Sequence, residues 1–150
     1  MRRARHCWSV FADLTKVKLS LMNGTSPLFG MLVTAPFDPI VAGALFAGNT
    51  LMAMSSQAMG QLMEREEDAK MNRTKSRPLP SGTLSVSAAQ LITLTHFAAS
   101  NLVLFAFVSP LSLALTNLTF VGYVMYVLLK KVTPLNTPFG SIVGSMPLLI

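Results

Sequence analysis

Long stretches without charge constrain this chain more than any other feature. Four segments of the 150 residues contain no Asp, Glu, Lys or Arg, namely 19–37, 39–63, 78–129 and 132–150. Only 12% of the residues are charged and 51% are hydrophobic, whereas about 25% are charged in a typical soluble domain. A membrane-spanning helix needs about 20 mostly apolar residues. The pattern predicts an all-α integral membrane protein and disfavours a soluble domain, a disordered tail or a coiled coil.

The uncharged segments divide into four predicted transmembrane helices and the start of a fifth. The third segment is too long for one span, and Ser109-Pro110 within it predicts a tight turn. Because the first span contains Asn23-Gly24 and Pro27, we expect it to be tilted or broken there. The predicted spans are residues 19–37, 39–63, 87–108 and 111–129, with an incomplete fifth at 140–150.

The distribution of basic residues predicts the sidedness of these spans. Lys and Arg number 12 against six Asp and Glu, a net charge of +6. In a soluble protein this excess would suggest a nucleic-acid partner, but in so apolar a chain it indicates which loops face the inside. With the N-terminus inside, every Lys and Arg lies on that side, and the outer turns at 35–39 and 107–111 carry only Asp38. We therefore expect membrane lipid around the protein and no nucleic acid.

The first residues, Met-Arg-Arg-Ala-Arg, are basic and resemble the beginning of a mitochondrial targeting segment. An ordinary basic flank on the inner side of a membrane explains them equally well. The interpretation favours the mitochondrial inner membrane, with the charged loops in the matrix. A bacterial plasma membrane is the alternative.

Residues 64–82 contain the chemistry-bearing pattern of the chain. Glu64 and Asp68 are one helical turn apart, so their carboxylates share a face and could hold Mg²⁺, which prefers oxygen ligands. Acids at a helix C-terminus are electrostatically unfavourable, which invites a functional explanation. Cations that suit phosphate oxygens follow, and a rigid turn comes after them: Lys70, Arg73, Lys75, Arg77, Pro78, Pro80 and Gly82. A solvated, salt-bridged loop between two spans is the alternative.

Three stretches carry a resemblance to a known family. Glu64-x₃-Asp68 followed by Arg73-Thr-Lys-Ser-Arg77-Pro-Leu resembles the first acidic motif of the UbiA superfamily of membrane prenyltransferases. Residues 14–20, Leu-Thr-Lys-Val-Lys-Leu-Ser, and residues 126–148 resemble the haem-farnesylating branch of that superfamily.

The chain departs from the family pattern at several points. Gly60 stands where the family has Asn, and Val17 replaces a Pro. No acidic residue follows Asp68, so the second acidic motif of the family is absent. Residues 1–150 are therefore expected to form the N-terminal part of a single UbiA-type domain, with the C-terminal half on the same or a separate chain.

The resemblance implies an activity, substrates and site residues. It implies transfer of the farnesyl group of farnesyl diphosphate to the 2-vinyl group of protohaem IX (haem B), which gives haem O for haem A and cytochrome oxidase biogenesis. Glu64 and Asp68 would be the catalytic metal ligands for Mg²⁺. The diphosphate contacts would be Arg73, Arg77, Lys130 and Asn72. Two alternatives stay open: another UbiA-type enzyme with an aromatic or chlorophyllide acceptor, and an inactive truncated membrane fragment.

Overall fold

The computed structural model describes residues 2–34, 36–133 and 136–150, and these ranges are helical without a β-strand. The elements, in chain order, are α1 (Arg2–Thr15), α2 (Val17–Thr34), α3 (Pro39–Met63), α4 (Arg65–Lys70), α5 (Val86–Phe107), α6 (Pro110–Leu129), α7 (Asn136–Ser145) and a 3₁₀ turn (Met146–Leu149).

Three of the described helices, α3, α5 and α6, are long and apolar enough to cross a membrane. The predicted all-α membrane class is confirmed at this level, whereas the predicted count of four spans plus the start of a fifth is not. The helix α2 continues through Pro27, which is fully buried. Unlike α3, α5 and α6, α2 carries a charged residue, Lys18, and it also contains Asn23 and Gly24.

Local capping determines where the candidate spans begin. Asp38 accepts hydrogen bonds from the backbone N–H groups of Ile40 at 2.8 Å and Val41 at 3.3 Å, with Pro39 in the first turn of α3. Ser109 caps α6 in the same way, before Pro110. A capping oxygen satisfies backbone donors that the first helical turn leaves free. The predicted outer turn at 35–39 includes Ala35, which lies outside the described residues, as do Pro134 and Leu135 before α7.

The helix α3 is the centre of the bundle and packs against α1, α2, α5 and α6. Ser100 donates a hydrogen bond to the Gly48 carbonyl at 2.7 Å, and Ser55 donates to the Thr93 carbonyl at 2.9 Å. Small residues allow this close approach, because membrane helices associate through packing and interhelical hydrogen bonds. Large apolar side chains of α5 and α6 point outward instead, as expected for faces in contact with lipid.

Candidate functional site

The junction between α3 and α4 places the two predicted metal ligands together. Glu64 N donates to the Gly60 carbonyl at 2.9 Å and Asp68 N donates to the Glu64 carbonyl at 2.8 Å, so Glu64 and Asp68 remain one turn apart. The acids after Glu64 lie in the first turn of a new helix rather than at the end of α3. A helix N-terminus favours negative charge, so their position costs less than the sequence suggested.

Each of these two carboxylates forms an ion pair. The partner of Asp68 lies in the loop after α4, and the partner of Glu64 lies at the end of α6. Arg77 Nη1 lies 2.5 Å from Asp68 Oδ2, and Lys130 Nζ lies 3.0 Å from Glu64 Oε1. The Asp68 side chain is only 7% exposed and that of Glu64 is 21% exposed. The site therefore joins the end of α3, the loop after α4 and the end of α6.

A third ion pair also connects the end of α6 to the junction between α3 and α4. Lys131 Nζ lies 2.9 Å from Glu67 Oε1 and also donates to the Met63 carbonyl at 2.9 Å. The hydrogen bond from Lys131 holds the pKa of Glu67 below its ordinary value. A cation is also favourable beside the last carbonyls of α3. The sequence did not single out Lys131 or Glu67.

The loop that carries Arg77 is anchored in the protein core. Thr74 is buried and donates from Oγ1 to the Asp68 carbonyl at 3.0 Å. Leu79 is also buried and joins a cluster with Leu14 and Ala58. Gly82 adopts a φ of +72°, a backbone region that glycine enters without steric cost. These anchors position Arg77 against Asp68.

Asn72 and Arg73 are not brought to this cluster. Both side chains are exposed on the outside of the loop. The Asn72 side-chain oxygen accepts a hydrogen bond from Lys75 Nζ at 3.0 Å. Their assignment to the diphosphate stays a prediction, while Glu64, Asp68, Arg77 and Lys130 converge.

Lys16 is a further cation in the electrostatic field of this cluster, and it was not predicted to be a site residue. It occupies the break between α1 and α2 and is partly buried. Burial lowers the pKa of Lys16, the Arg77 cation lowers it further, and the carboxylates of Glu64 and Asp68 act in the opposite direction. Lys16 thus lies in the electrostatic field of the same charged groups. Lys16 lies in the family motif at residues 14–20, but nothing in the local sequence indicates that this motif packs close to α4.

The residues at the junction fit a divalent cation, although the described part of the chain holds no group of three or more His, Cys, Asp or Glu side chains arranged for a metal. Gln61, Glu64 and Asp68 follow the i, i+3, i+7 spacing of one helix face. Gln61 Oε1 is buried and has no hydrogen-bond partner among the described residues. The ion pairs occupy only Oε1 of Glu64 and Oδ2 of Asp68. Carboxylate and amide oxygens are suitable ligands for hard cations.

A cavity of about 430 Å³ lies between α2, α3, α6 and α7. This volume is within the range of pockets that hold organic ligands. Hydroxyl and amide groups mix with apolar groups in its lining, which includes Asn23, Asn49, Gln57, Thr116, Tyr123 and Tyr126. Gln57 precedes Glu64 by seven residues, about 10 Å along a helix. The cavity therefore extends away from the charged cluster into the bundle.

Gly60 lies between this cavity and the charged cluster. A Cβ atom added to Gly60 would stand 2.8 Å from the Tyr123 hydroxyl oxygen, and that hydroxyl lies 3.5 Å from Gln57 Oε1. Tyr123 thus fills the space that a side chain at position 60 would need. An Asn at position 60, the residue of the family pattern, would therefore require the Tyr123 side chain to move.

The fold and site together define an integral membrane helical bundle with an acidic and basic cluster at one end of a partly polar cavity. The sequence comparison identifies the family: residues 25–150 match the UbiA prenyltransferase family, and the chain belongs to it. This result confirms the resemblance drawn from residues 64–82.

Curated relatives are similar over most of the chain. It is 34% identical to protoheme IX farnesyltransferase 1 of Shewanella sp. (strain ANA-3) and 35% identical to protoheme IX farnesyltransferase of Shewanella pealeana, in each case over 149 residues, covering 95% of this chain and 49% of the relative. The chain therefore spans about half the length of the curated relatives it matches. No solved structure matches it.

Proposed function

We propose that this chain carries the first acidic motif and part of the diphosphate site of a membrane prenyltransferase that farnesylates protohaem IX to haem O. The observation that carries the proposal is the convergence of Glu64 and Asp68 with Arg77 and Lys130 next to a cavity in the bundle. The names of the relatives support the choice of haem and farnesyl substrates.

The charged cluster suits a diphosphate bound with a divalent metal. Glu64 and Asp68 would hold the ion, which we propose to be Mg²⁺, and when bound it supplies positive charge that stabilises the leaving diphosphate. Arg77 and Lys130 lie beside these carboxylates and would donate charge-assisted hydrogen bonds to phosphate oxygens. Preorganised cations at the position where negative charge develops lower the barrier to departure.

The proposed reaction breaks the C1–O bond of farnesyl diphosphate, the π bond of the haem vinyl group and one O–H bond of water, and it forms one C–C bond and one C–O bond. The C1–O bond of farnesyl diphosphate breaks, and the electron pair leaves with the diphosphate held by Arg77 and Lys130. The electrons of the haem 2-vinyl group then form the bond to farnesyl C1. Water adds to the resulting vinyl-derived cation and loses a proton, which gives the hydroxyethylfarnesyl group. The cavity lined by Gln57 and Tyr123 would hold the isoprenoid chain.

We propose that a second set of acidic ligands comes from a C-terminal half outside these 150 residues, on the same polypeptide or on a separate chain. The relatives are about twice as long as the matched region. An immunoblot of native membranes with an antibody to residues 64–77 distinguishes the two arrangements. A band well above 16.2 kDa supports one polypeptide, and a band at that mass requires a partner chain.

In the membrane, we propose that α2 joins α3, α5 and α6 as a fourth span and that α7 begins a fifth. The charged cluster then lies on the inner side, where basic loops are retained. The sequence favours the mitochondrial matrix side, while the relatives are bacterial. Fractionation of source cells, followed by protease accessibility of residues 64–82, assigns both the compartment and the side.

The test of the proposed function uses the native-length protein in membranes with farnesyl diphosphate, protohaem IX and Mg²⁺. We expect haem O from the wild-type protein and at least about a 100-fold loss of turnover in Glu64→Gln and Asp68→Asn. Glu66→Gln is the matched control, because Glu66 is exposed in the same helical turn. Equal turnover in all four proteins would refute the metal site. Prenylation of an aromatic or chlorophyllide acceptor instead of haem, or of no acceptor, would refute the choice of substrate or the activity itself.

A further inference from the structure

The backbone at Lys16 is held in a conformation that a lysine rarely adopts. Its φ is +46°, in the left-handed region, and it is the only described non-glycine residue with a positive φ. Such strain persists only where the surroundings determine it, and it is concentrated at functional sites. Lys16 is therefore placed by the fold and not by its own preference.

Two side chains form hydrogen bonds with the backbone on the N-terminal side of Lys16. Gln61 reaches from α3 and donates from Nε2 to the Asp13 carbonyl at 2.7 Å and to the Leu14 carbonyl at 2.9 Å. Ser20 donates from Oγ to the Thr15 carbonyl at 2.8 Å. These bonds satisfy the last carbonyls of α1 and allow the chain to turn into α2. Because Gln61 lies one turn before Glu64, the break is tied directly to the acidic junction.

Among the residues that the structure describes, the Lys16 ammonium has no direct partner, unlike the cations of Arg77 and Lys130. Arg77 and Lys130 each form an ion pair with a carboxylate. Within the described ranges, the Lys16 side chain makes no hydrogen bond and no ion pair, although it is partly buried and within the field of Glu64, Asp68, Arg77 and Lys130. A partly desolvated cation without a partner is available to an anionic ligand.

We infer that Lys16 is a further diphosphate-binding residue, held by the strained break between α1 and α2 so that its ammonium contacts the phosphate oxygens of the isoprenoid donor. This inference rests on the proposed function. It adds the N-terminal helix pair to a site otherwise built from the α3–α4 junction, the following loop and the end of α6. Together, Lys16, Arg77 and Lys130 supply three cations against the two carboxylates of Glu64 and Asp68.

The test compares three variants of the native-length protein. Lys16→Asn removes the cation and tolerates a left-handed backbone, and Lys16→Arg keeps the charge. Lys18→Gln is the control, since Lys18 is exposed two residues further on in α2. Binding of inorganic diphosphate with Mg²⁺ is measured by titration calorimetry in detergent, and the KM values for farnesyl diphosphate and protohaem IX are measured separately.

We expect Lys16→Asn to weaken diphosphate binding and to raise the KM for farnesyl diphosphate by about tenfold, the effect of one charge-assisted hydrogen bond, with little change in the KM for haem. Lys16→Arg should recover most of the binding, and Lys18→Gln should match the wild type. A merely structural role would change both KM values or the melting temperature.

The outcomes separate this inference from the proposed function. If Lys16→Asn binds diphosphate like the wild type while Glu64→Gln does not, Lys16 has no role in the site and the proposed function stands. If the wild type binds diphosphate but forms no haem O, the Lys16 variants still decide the inference by calorimetry. Failure of the wild-type protein to bind diphosphate overturns both.

Discussion

Loss of the Arg77 cation should destabilise the folded protein because Asp68 would remain buried without its partner. The Asp68 side chain is 7% exposed and that of Arg77 is 24% exposed, and their charged atoms lie 2.5 Å apart. Removing one member of a buried ion pair costs about 3–5 kcal/mol. Since water reaches part of Arg77, we expect Arg77→Gln to lower the free energy of unfolding by about 3 kcal/mol, the bottom of that range. This equals roughly a 100-fold change in the unfolding equilibrium.

The assay is a denaturant titration of the purified protein in mild detergent, followed by far-UV circular dichroism. Lys75→Gln is the control, because Lys75 is an exposed cation of the same loop, and its change should stay within about 0.5 kcal/mol. The double variant Arg77→Gln/Asp68→Asn should recover about 2 kcal/mol of the loss, since the unpaired charge is gone. Equal stability of Arg77→Gln and Lys75→Gln, or no recovery in the double variant, would show that the Arg77–Asp68 ion pair does not stabilise the fold.

Two further predictions concern helix packing and pH. Gly48→Ala should lower the free energy of unfolding by about 1–3 kcal/mol, because a Cβ there would stand 2.6 Å from Leu104 Cδ2. Gly43→Ala is the control and should not lower it, since a Cβ at position 43 would meet no atom within 4 Å. Denaturant titration measures both variants, and equal losses would contradict the close packing at Gly48. The Lys131 hydrogen bond holds the pKa of Glu67 below its ordinary value of 4.5. The contact between Glu67 and Lys131 therefore stabilises the folded protein above pH 4.5, and this contribution is lost as the pH falls through the lowered pKa of Glu67. The pH dependence of unfolding should be shallower there for Glu67→Gln than for Glu66→Gln, and identical profiles would exclude the Lys131 contact.

Local sequence rules predicted the long helices well. The predicted segment 39–63 has the same bounds as α3, and Ser109-Pro110 separates α5 from α6. Uncharged length, a capping residue and a proline in the first turn act over a few residues, so the sequence alone reveals them. The same rules did not predict α1, because its basic residues were interpreted as a targeting segment or as the inner flank of the first span. They also missed the new helix that begins after Glu64.

Glu64, Asp68 and Arg77 were recognisable from the sequence, because one turn of helix and one loop connect them. Lys130 was expected from the family resemblance, and the packing of α6 against α3 explains its contact with Glu64, 66 residues earlier. Asn72 and Arg73 belong to the same motif, yet the folded loop exposes them. Motif membership therefore does not determine which side of a loop a residue faces.

The helical membrane class, the distribution of charge and the acidic pair could be predicted from the sequence alone, because each depends on hydropathy or on helical spacing. It takes the tertiary structure to show that Arg77 and Lys130 form ion pairs with these two carboxylates and that Lys16 lies in their electrostatic field. Their positions depend on the long-range bonds of Gln61 to α1, the burial of Leu79 and the packing of α6. Contacts between residues distant in sequence depend on how whole helices pack, which no short stretch of sequence specifies.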